Sequence, residues 1–175
     1  MQNLDEWNET IKNPVSHLKE LKGLEIISES FVYKIYDIFG RNSLLSMLYQ
    51  VGAGPGEIIS ERLKEKYQKE EFDIIEALNV LISELKEFYC IKYKTIEEDD
   101  EKIRFTIENH CFLRGIIKRR EKLKPGKAFC RINKGYFEVA LKKLIGDKIR
   151  RIEINFLHND DINDVCLEEL CFYKM

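Results

Sequence analysis

The stretch from Cys130 to Cys166 constrains the fold more than any other part of the sequence. It begins with a helical pattern of apolar residues, Tyr136 to Ile145, which a Gly-Asp pair ends. An alternating strand follows, and its even-numbered residues share one face: Ile152, Ile154, Phe156 and His158. An acidic turn from Asn159 to Asp164 then sends the chain back, so we expect Cys166 beside His158 on a neighbouring strand. The stretch therefore predicts a helix packed beside a β-hairpin.

Three residues of this stretch are of the types that zinc prefers: Cys130, His158 and Cys166. We expect Cys130, at the entry to the helix, to fold over the end of the hairpin where the other two lie. The candidates for a fourth ligand are Cys111, His110 and a carboxylate such as Glu153. No pair among them has the C-x2-C spacing of zinc fingers and ribbons. The alternative is that both cysteines are buried as small apolar residues and that His158 is hydrogen-bonded at a strand end.

The spacing of four sites agrees with the C-terminal signature of one family: Cys130, Gly135-Tyr136, His158 and Cys166. From Gly40 to Phe172 the chain resembles the 4-vinyl-reductase domain family, also called the predicted hydrocarbon-binding domain. Where that family has Glu-x-x-Cys, this chain has Asn155-Phe156-Leu157-His158, so His158 replaces a cysteine and Asn155 a glutamate. Asparagine is a poor substitute for a carboxylate ligand. Cys111 is therefore the first choice for the fourth ligand.

The resemblance implies an α+β fold in which N-terminal helices pack on a small antiparallel sheet. That fold is similar to the fold of the Golgi-tethering TRAPP subunits and of the haem nitric-oxide-binding domains. Members of the family are similar to the sensor domains of phenol- and toluene-responsive transcription activators, and to a protein of bacteriochlorophyll synthesis that reduces a vinyl group. The resemblance thus implies an apolar cavity for a small ligand with a structural zinc ion beside it.

The composition is that of an ordinary globular domain, with 44% hydrophobic and 34% charged residues in a chain of 175. A net charge of -2 with interspersed signs argues against nucleic-acid binding by this chain alone. No stretch is long and apolar enough to span a membrane, and the N-terminus lacks the pattern of a signal peptide, which predicts a cytoplasmic protein. The odd number of cysteines, five, favours reduced thiols. The high content of Lys, Glu and Ile in this chain is typical of proteins from heat-adapted organisms.

The first 39 residues are interpreted as a helical extension ahead of a ligand-binding domain over residues 40–175. Apolar residues at helical spacing predict a helix over Ser30–Ile38 that Phe39-Gly40 ends, with a new helix after Asn42 or Ser43. The glycine-rich segment Gly52–Gly56 lacks the strand before it and the Lys-Ser/Thr after it that a phosphate-binding loop needs. We interpret it as a tight corner between two helices, where small residues also allow close packing.

The middle of the chain predicts a long helix and a hairpin. Apolar residues at helical spacing cover Glu71–Phe88, and two strands, Tyr89–Ile96 and Lys102–Glu108, flank an acidic turn. Glu108 to Cys111 should end the second strand and begin a helix that runs towards Lys122. Cys111 and Cys130 would then lie at the two ends of one helical segment, where the chain could bring them together.

Function is predicted to be binding rather than catalysis, because no catalytic triad, HExxH motif or dinucleotide fingerprint is present. The predicted pocket for a small hydrophobic ligand is aromatic: Phe105, Phe112, Phe129, Tyr136 and Phe137, with Ile107 beside them. The same aromatic residues would equally serve as an ordinary core. Two alternatives are an assembly subunit and a reductase component of tetrapyrrole-type metabolism that works with an electron donor.

We also expect a homodimer, because the N-terminal third carries more apolar stripes than one face of a small sheet can cover. The stripes comprise Phe31, Ile35, Leu45 and Leu48.

Overall fold

The computed structural model describes residues 20–113, 128–160 and 165–175. Its first element is a 48-residue helix, α1 (Glu20–Tyr67), which kinks at Gly40, where the backbone has φ 74° and ψ 176°. Only glycine adopts such a conformation at low cost, because a side chain on Cβ would collide with the neighbouring backbone. The predicted break at Phe39-Gly40 is confirmed, and the kink divides α1 into two helical halves.

The predicted corner at Gly52–Gly56 is wrong, because α1 continues through it and carries Pro55 in its interior. Packing against α3 (Cys130–Ile145) explains the glycines. A Cβ built on Gly52 would lie 2.0 Å from the carbonyl oxygen of Ile132, and one on Gly135 would lie 2.1 Å from that of Tyr49. The glycines therefore let the two helix backbones touch. The expectation of close helix packing here is confirmed.

The second helix, α2 (Ile74–Glu84), is shorter at both ends than the predicted Glu71–Phe88. At its start the backbone N–H of Asp73 donates to the side chain of Glu76 at 3.4 Å, a local bond that fixes the first turn. At its end the N–H groups of Phe88 and Tyr89 both donate to the carbonyl of Leu85, which turns the chain into the first strand. These local hydrogen bonds, which apolar periodicity does not show, set both ends.

Four antiparallel strands form one sheet in the order β1-β2-β4-β3. They are β1 (Tyr89–Glu98), β2 (Lys102–Cys111), β3 (Ile149–Asp160) and β4 (Val165–Lys174). The three helices pack against this sheet, and a short 3-10 turn over Gly146–Lys148 joins α3 to β3. The predicted α+β architecture of helices on a small antiparallel sheet is confirmed.

Both predicted hairpins are present, but several boundaries differ. Cys111 is the last residue of β2, paired with Tyr89, rather than the first residue of a helix. The rest of the predicted helix towards Lys122 lies outside the described residues. Helix α3 begins at Cys130, six residues before the predicted start at Tyr136.

A β-bulge in β3 overturns the predicted placement of His158. The register shifts between Phe156 and His158, so that Phe156 pairs with Glu168 and His158 pairs with Leu167. Paired residues share a face, whereas consecutive residues of β4 alternate. His158 therefore lies on the outer face with Leu167, and its side chain is exposed. The shared face proposed for the even-numbered residues of this strand ends at Phe156.

Two clusters of buried side chains fill the space between helices and sheet. The larger, called here the main core, joins the C-terminal parts of α1 and α3, α2 and the inner face of the sheet. Its largest fully buried members are Leu63, Phe72, Leu78, Leu81, Phe105, Ile107, Leu141, Leu144, Ile145, Ile149 and Phe172. The smaller, called the minor core, joins the middle of α1 to the start of α3: Val32, Leu44, Leu48, Leu113, Ala128, Phe129 and Cys130. The two differ in how well they are covered: Phe31, packed near the minor core, is 64% exposed, whereas Phe105 and Phe172 of the main core are fully buried.

Candidate ligand-binding groove

An apolar groove of about 500 Å³ lies over the minor core. Both halves of α1 contribute to its lining, together with the residues after β2 and the start of α3. Its lining is almost entirely apolar: Leu24, Glu25, Ser28, Phe31, Val32, Leu48, Val51, Phe112, Leu113, Phe129 and Ile132. The size falls in the range of small-molecule sites, and the lining offers few groups that would hold water. The groove can therefore take an apolar molecule of small to moderate size.

Two of the five predicted pocket residues, Phe112 and Phe129, line this groove. The other three lie elsewhere. Phe105 and Phe137 are buried in the main core, where Phe105 packs edge-on against Phe172 and Phe137 against Tyr89. Tyr136 borders a separate, more polar cleft beside Lys66 and Glu84. The ligand-binding role of the five residues stays a prediction, and the geometry favours it for the two that reach the groove.

The groove wall formed by α1 was not expected from the sequence, which placed residues before Gly40 in an extension. Large apolar side chains there are exposed, with Phe31 at 64%. The signal was present in the spacing of Leu24, Ile27 and Phe31, which places them on one side of a helix. Predicting the groove also requires knowing that no neighbouring element covers these side chains in the described structure. That depends on tertiary packing, which local spacing does not show.

Beside the minor core, polar side chains are buried between the sheet and the start of α3. The Tyr89 hydroxyl donates to Asn133 Oδ1 at 2.9 Å, and Asn109 Nδ2 donates to Glu168 Oε1 at 3.1 Å. Because a carboxylate accepts hydrogen bonds only, this bond fixes the Asn109 amide with its Oδ1 pointing elsewhere. That oxygen is buried without a hydrogen-bond partner among the described residues. Burial, followed by the charges of Cys111 and other neighbours, raises the pKa of Tyr89, so Tyr89 stays a neutral donor.

The residues predicted to bind zinc are divided between the two faces of the sheet. Cys111, paired with buried Tyr89, and Cys166, paired with buried Asn109, lie on the inner face towards α3, where Cys130 is also buried. The bulge places His158 on the outer face. The alternative ligand Glu153 instead accepts a hydrogen bond from the Tyr173 hydroxyl at 2.8 Å.

Within the parts of the chain that the structure describes, no three histidine, cysteine, aspartate or glutamate side chains form a group that could hold a metal ion. The set Cys111, Cys130, His158 and Cys166 therefore does not fit one zinc ion with this strand register. The other candidate, His110, is on the opposite face of β2 from Cys111, since adjacent strand residues alternate. Zinc binding by this protein stays a prediction.

None of the helices in residues 20–113, 128–160 and 165–175 has the length and apolar character needed to cross a bilayer.

This architecture, a sheet of four antiparallel strands packed under helices, is similar to the fold of two solved structures, a TRAPP subunit and a sensory domain. The subunit 3 of the trafficking protein particle complex from Naegleria fowleri, solved covalently bound to palmitic acid, is similar with a TM-score of 0.58. That comparison has 14% identity and covers 87% of this chain and 93% of the other.

A second similar structure is the phenol-responsive sensory domain of the transcription activator PoxR, solved with phenol. Its TM-score is 0.53 at 12% identity, and the match covers 85% of this chain and 74% of that chain. At such identities the likeness establishes the fold alone. No protein-family model and no curated protein matches the sequence, so the resemblance to the 4-vinyl-reductase family stays a prediction.

Proposed function

We propose that this chain is a binding module that takes a small to moderate apolar molecule into the groove over the minor core. The observation that carries the proposal is the groove itself, about 500 Å³ in volume and lined on three sides by aliphatic and aromatic side chains. Removing apolar surface from water stabilises such a complex by about 25 cal/mol per Å². The two similar structures support the proposal, since one contains palmitic acid and the other contains phenol.

Binding is best tested by filling the groove without disturbing the cores. Ser28 lines the groove and is exposed, so Ser28→Trp should occupy the space that a ligand needs. Ser46 is an exposed serine on the same helix outside the groove, and Ser46→Trp is the matched control. Displacement of a fluorescent anilinonaphthalene dye by phenols, long-chain alcohols and fatty acids would be measured for all three proteins.

We expect saturable binding by the natural chain and by Ser46→Trp, and a loss of about tenfold or more in Ser28→Trp. Equal affinity in the two variants would show that the dye and its competitors bind elsewhere. No saturable binding of any competitor class by the natural chain would refute the proposal.

A second candidate function, assembly with another copy of the chain, is favoured by a different observation. Outside the groove lining, α1 exposes further large apolar side chains, among them Ile26 (53%), Ile27 (68%), Ile38 (59%) and Phe39 (57%). Ile27 and Ile38, which lie outside the groove lining, recur with Leu24 and Phe31 of that lining at intervals of three, four and seven residues, the spacing of a helix seam that packs on another helix. Two copies that pair through α1 would cover these side chains with identical surfaces.

Sedimentation over a concentration series tests this candidate. The double variant Ile27→Lys/Ile38→Lys changes the seam but no residue of the groove lining. A dimer that this variant dissociates, with dye binding retained, would support assembly through α1. A natural chain that stays monomeric at high micromolar concentration would exclude it. The reductase alternative stays a prediction that none of these observations favours.

A further inference from the structure

A second cleft, of about 370 Å³, shares no lining residue with the groove and has a different chemistry. It lies where the C-terminal half of α3 meets the start of β3, with one residue of α1 beside them. Its lining is Tyr49, Glu138, Val139, Lys142, Lys143, Arg150, Arg151 and Ile152. Four cations thus face one carboxylate, in a chain whose overall charge is -2.

The single carboxylate of this cleft is already engaged. Glu138 Oε1 accepts the backbone N–H of Ile154 at 3.1 Å and lies 3.3 Å from the ammonium of Lys134, which is outside the lining. The hydroxyl of Tyr49 also bonds to Glu138. Lys134 therefore offsets the charge of Glu138, so the carboxylate of the lining does not neutralise its four cations.

A backbone irregularity brings two adjacent arginines into the same cleft. On a regular strand Arg150 and Arg151 would point to opposite faces. The register of β3 shifts between Ile149 and Arg151, and both guanidinium groups lie near the ring of Tyr173, at 6.0 Å and 4.1 Å from its centroid. Arg151 has an ion pair with Glu153 at 3.3 Å, whereas Arg150 has none with any residue that the structure describes.

The two lysines of the cleft differ in how firmly they are held: Lys142 donates to two backbone carbonyls, whereas Lys143 is exposed. Lys142 Nζ donates to the carbonyl oxygens of Gly146 at 2.9 Å and Ile149 at 2.6 Å, just beyond the end of α3. An ammonium has three donors, so one N–H remains for a ligand. Lys143 is exposed and lies 3.5 Å from Glu57, a distance at which its charge is only loosely held.

We propose that this cleft binds a phosphate group, either of a soluble phosphate ester or of an anionic lipid headgroup. Guanidinium groups match the paired oxygens of a phosphate, and a dianion matches a cluster of cations better than a single carboxylate does. This proposal does not depend on ligand binding in the groove.

The test uses the double variant Arg150→Gln/Arg151→Gln. Its matched control is Lys86→Gln/Lys92→Gln, which removes two exposed charges at or before the opposite edge strand. Two probes distinguish the sources: inorganic phosphate titrated by NMR, and co-sedimentation with phosphatidylcholine vesicles with and without phosphatidic acid. Thermal melting checks that each variant is folded, and the single variant Lys143→Gln serves if the arginine double variant is not.

We expect the natural chain and the lysine control to bind, and the arginine double variant to lose about tenfold or more in affinity. Phosphate-induced shifts without vesicle binding would assign the site to a soluble ester, and binding only to vesicles with phosphatidic acid would assign it to a lipid. Equal losses in the two double variants would show attraction to net charge alone and overturn the proposal. Binding of neither probe by the natural chain would overturn it as well.

Discussion

The main core and the minor core both contain buried side chains of α1 and α3, yet they differ in how completely they are closed. In the main core, aromatic rings pack edge-on, with Phe105 and Phe172 at 5.5 Å between centroids and both fully buried. At the minor core, Phe31 and Phe112 are more than half exposed and border an open groove.

The closed main core stabilises the fold, whereas the open groove over the minor core is the site of the proposed ligand binding. A space filled to crystal-like density has no room for a ligand. An incompletely covered cluster leaves exposed apolar surface that a ligand or a second protein can cover.

The largest expected effect is the loss of an aromatic ring from the main core. Phe105→Ala should lower the free energy of unfolding by about 3–5 kcal/mol, because the closed surroundings leave a cavity. Phe129→Ala, an equally buried ring at the floor of the groove, should cost about 2 kcal/mol or less, because neighbours and solvent can enter from the open side. Urea unfolding measures both. Equal losses would mean that the two cores are equally closed.

A smaller effect, with opposite signs at two positions, is expected where α1 crosses α3. Gly52→Ala places a methyl group 2.0 Å from the carbonyl oxygen of Ile132 and should lower the free energy of unfolding by about 1–3 kcal/mol. Gly54→Ala meets nothing within 4 Å and should raise it by up to about 1 kcal/mol through helix propensity. Denaturant unfolding of the pair is the measurement. Stabilisation by both substitutions would show that the backbones do not touch.

Alkaline pH should destabilise the fold by ionising tyrosines that are buried or partly buried at the main core. Burial, followed by the charge of Glu84, raises the pKa of Tyr136 to about 12, and burial also raises the pKa of Tyr89. A raised pKa stabilises the fold below the unfolded value of about 10 and loses that contribution as pH rises through the folded value. Thermal stability should therefore be flat up to about pH 10 and fall above it. Tyr136→Phe should flatten this fall, and an unchanged profile would contradict the assignment.

The smallest effect is expected at His158. Because its side chain is exposed on the outer face, His158→Ala should change neither Tm nor metal content. Elemental analysis of protein purified without chelators would be compared for His158→Ala, Cys166→Ser and Cys90→Ser. Zinc that disappears with His158 and with Cys166, but not with the exposed Cys90, would restore the set predicted from the sequence and contradict the register of β3.

Periodicity and turn residues predicted both hairpins and the break at Gly40, and the family resemblance implied the α+β class. Periodicity failed where one residue changes the geometry. The bulge after Phe156 inserts a residue that no alternating pattern marks, and it turns His158 outward. Glycines at Gly52–Gly56 indicate a turn as readily as a close helix contact, and only the presence of α3 decides between them.

The candidate site was less predictable than the fold. Aromatic residues are common in both cores and pockets. The sequence alone therefore does not show that Phe105 lies in a closed core whereas Phe129 lines an open groove. The burial of Asn109 beside Glu168 depends on pairing between strands 59 residues apart in the chain. Local sequence carries no signal for such long-range placement.

The backbone conformation at Gly40 determines which amino-acid chirality this position accepts. A Cβ built at this position meets nothing within 4 Å, so volume is not what demands glycine; the positive φ of 74° is. A D-amino acid prefers positive φ for the same reason that an L-residue avoids it. A semisynthetic chain with D-alanine at this position should keep the kink and gain stability of about 0.4–1 kcal/mol, because its unfolded state has fewer conformations to lose. The kink in α1 thus depends on the chirality of the residue at position 40 rather than on its size.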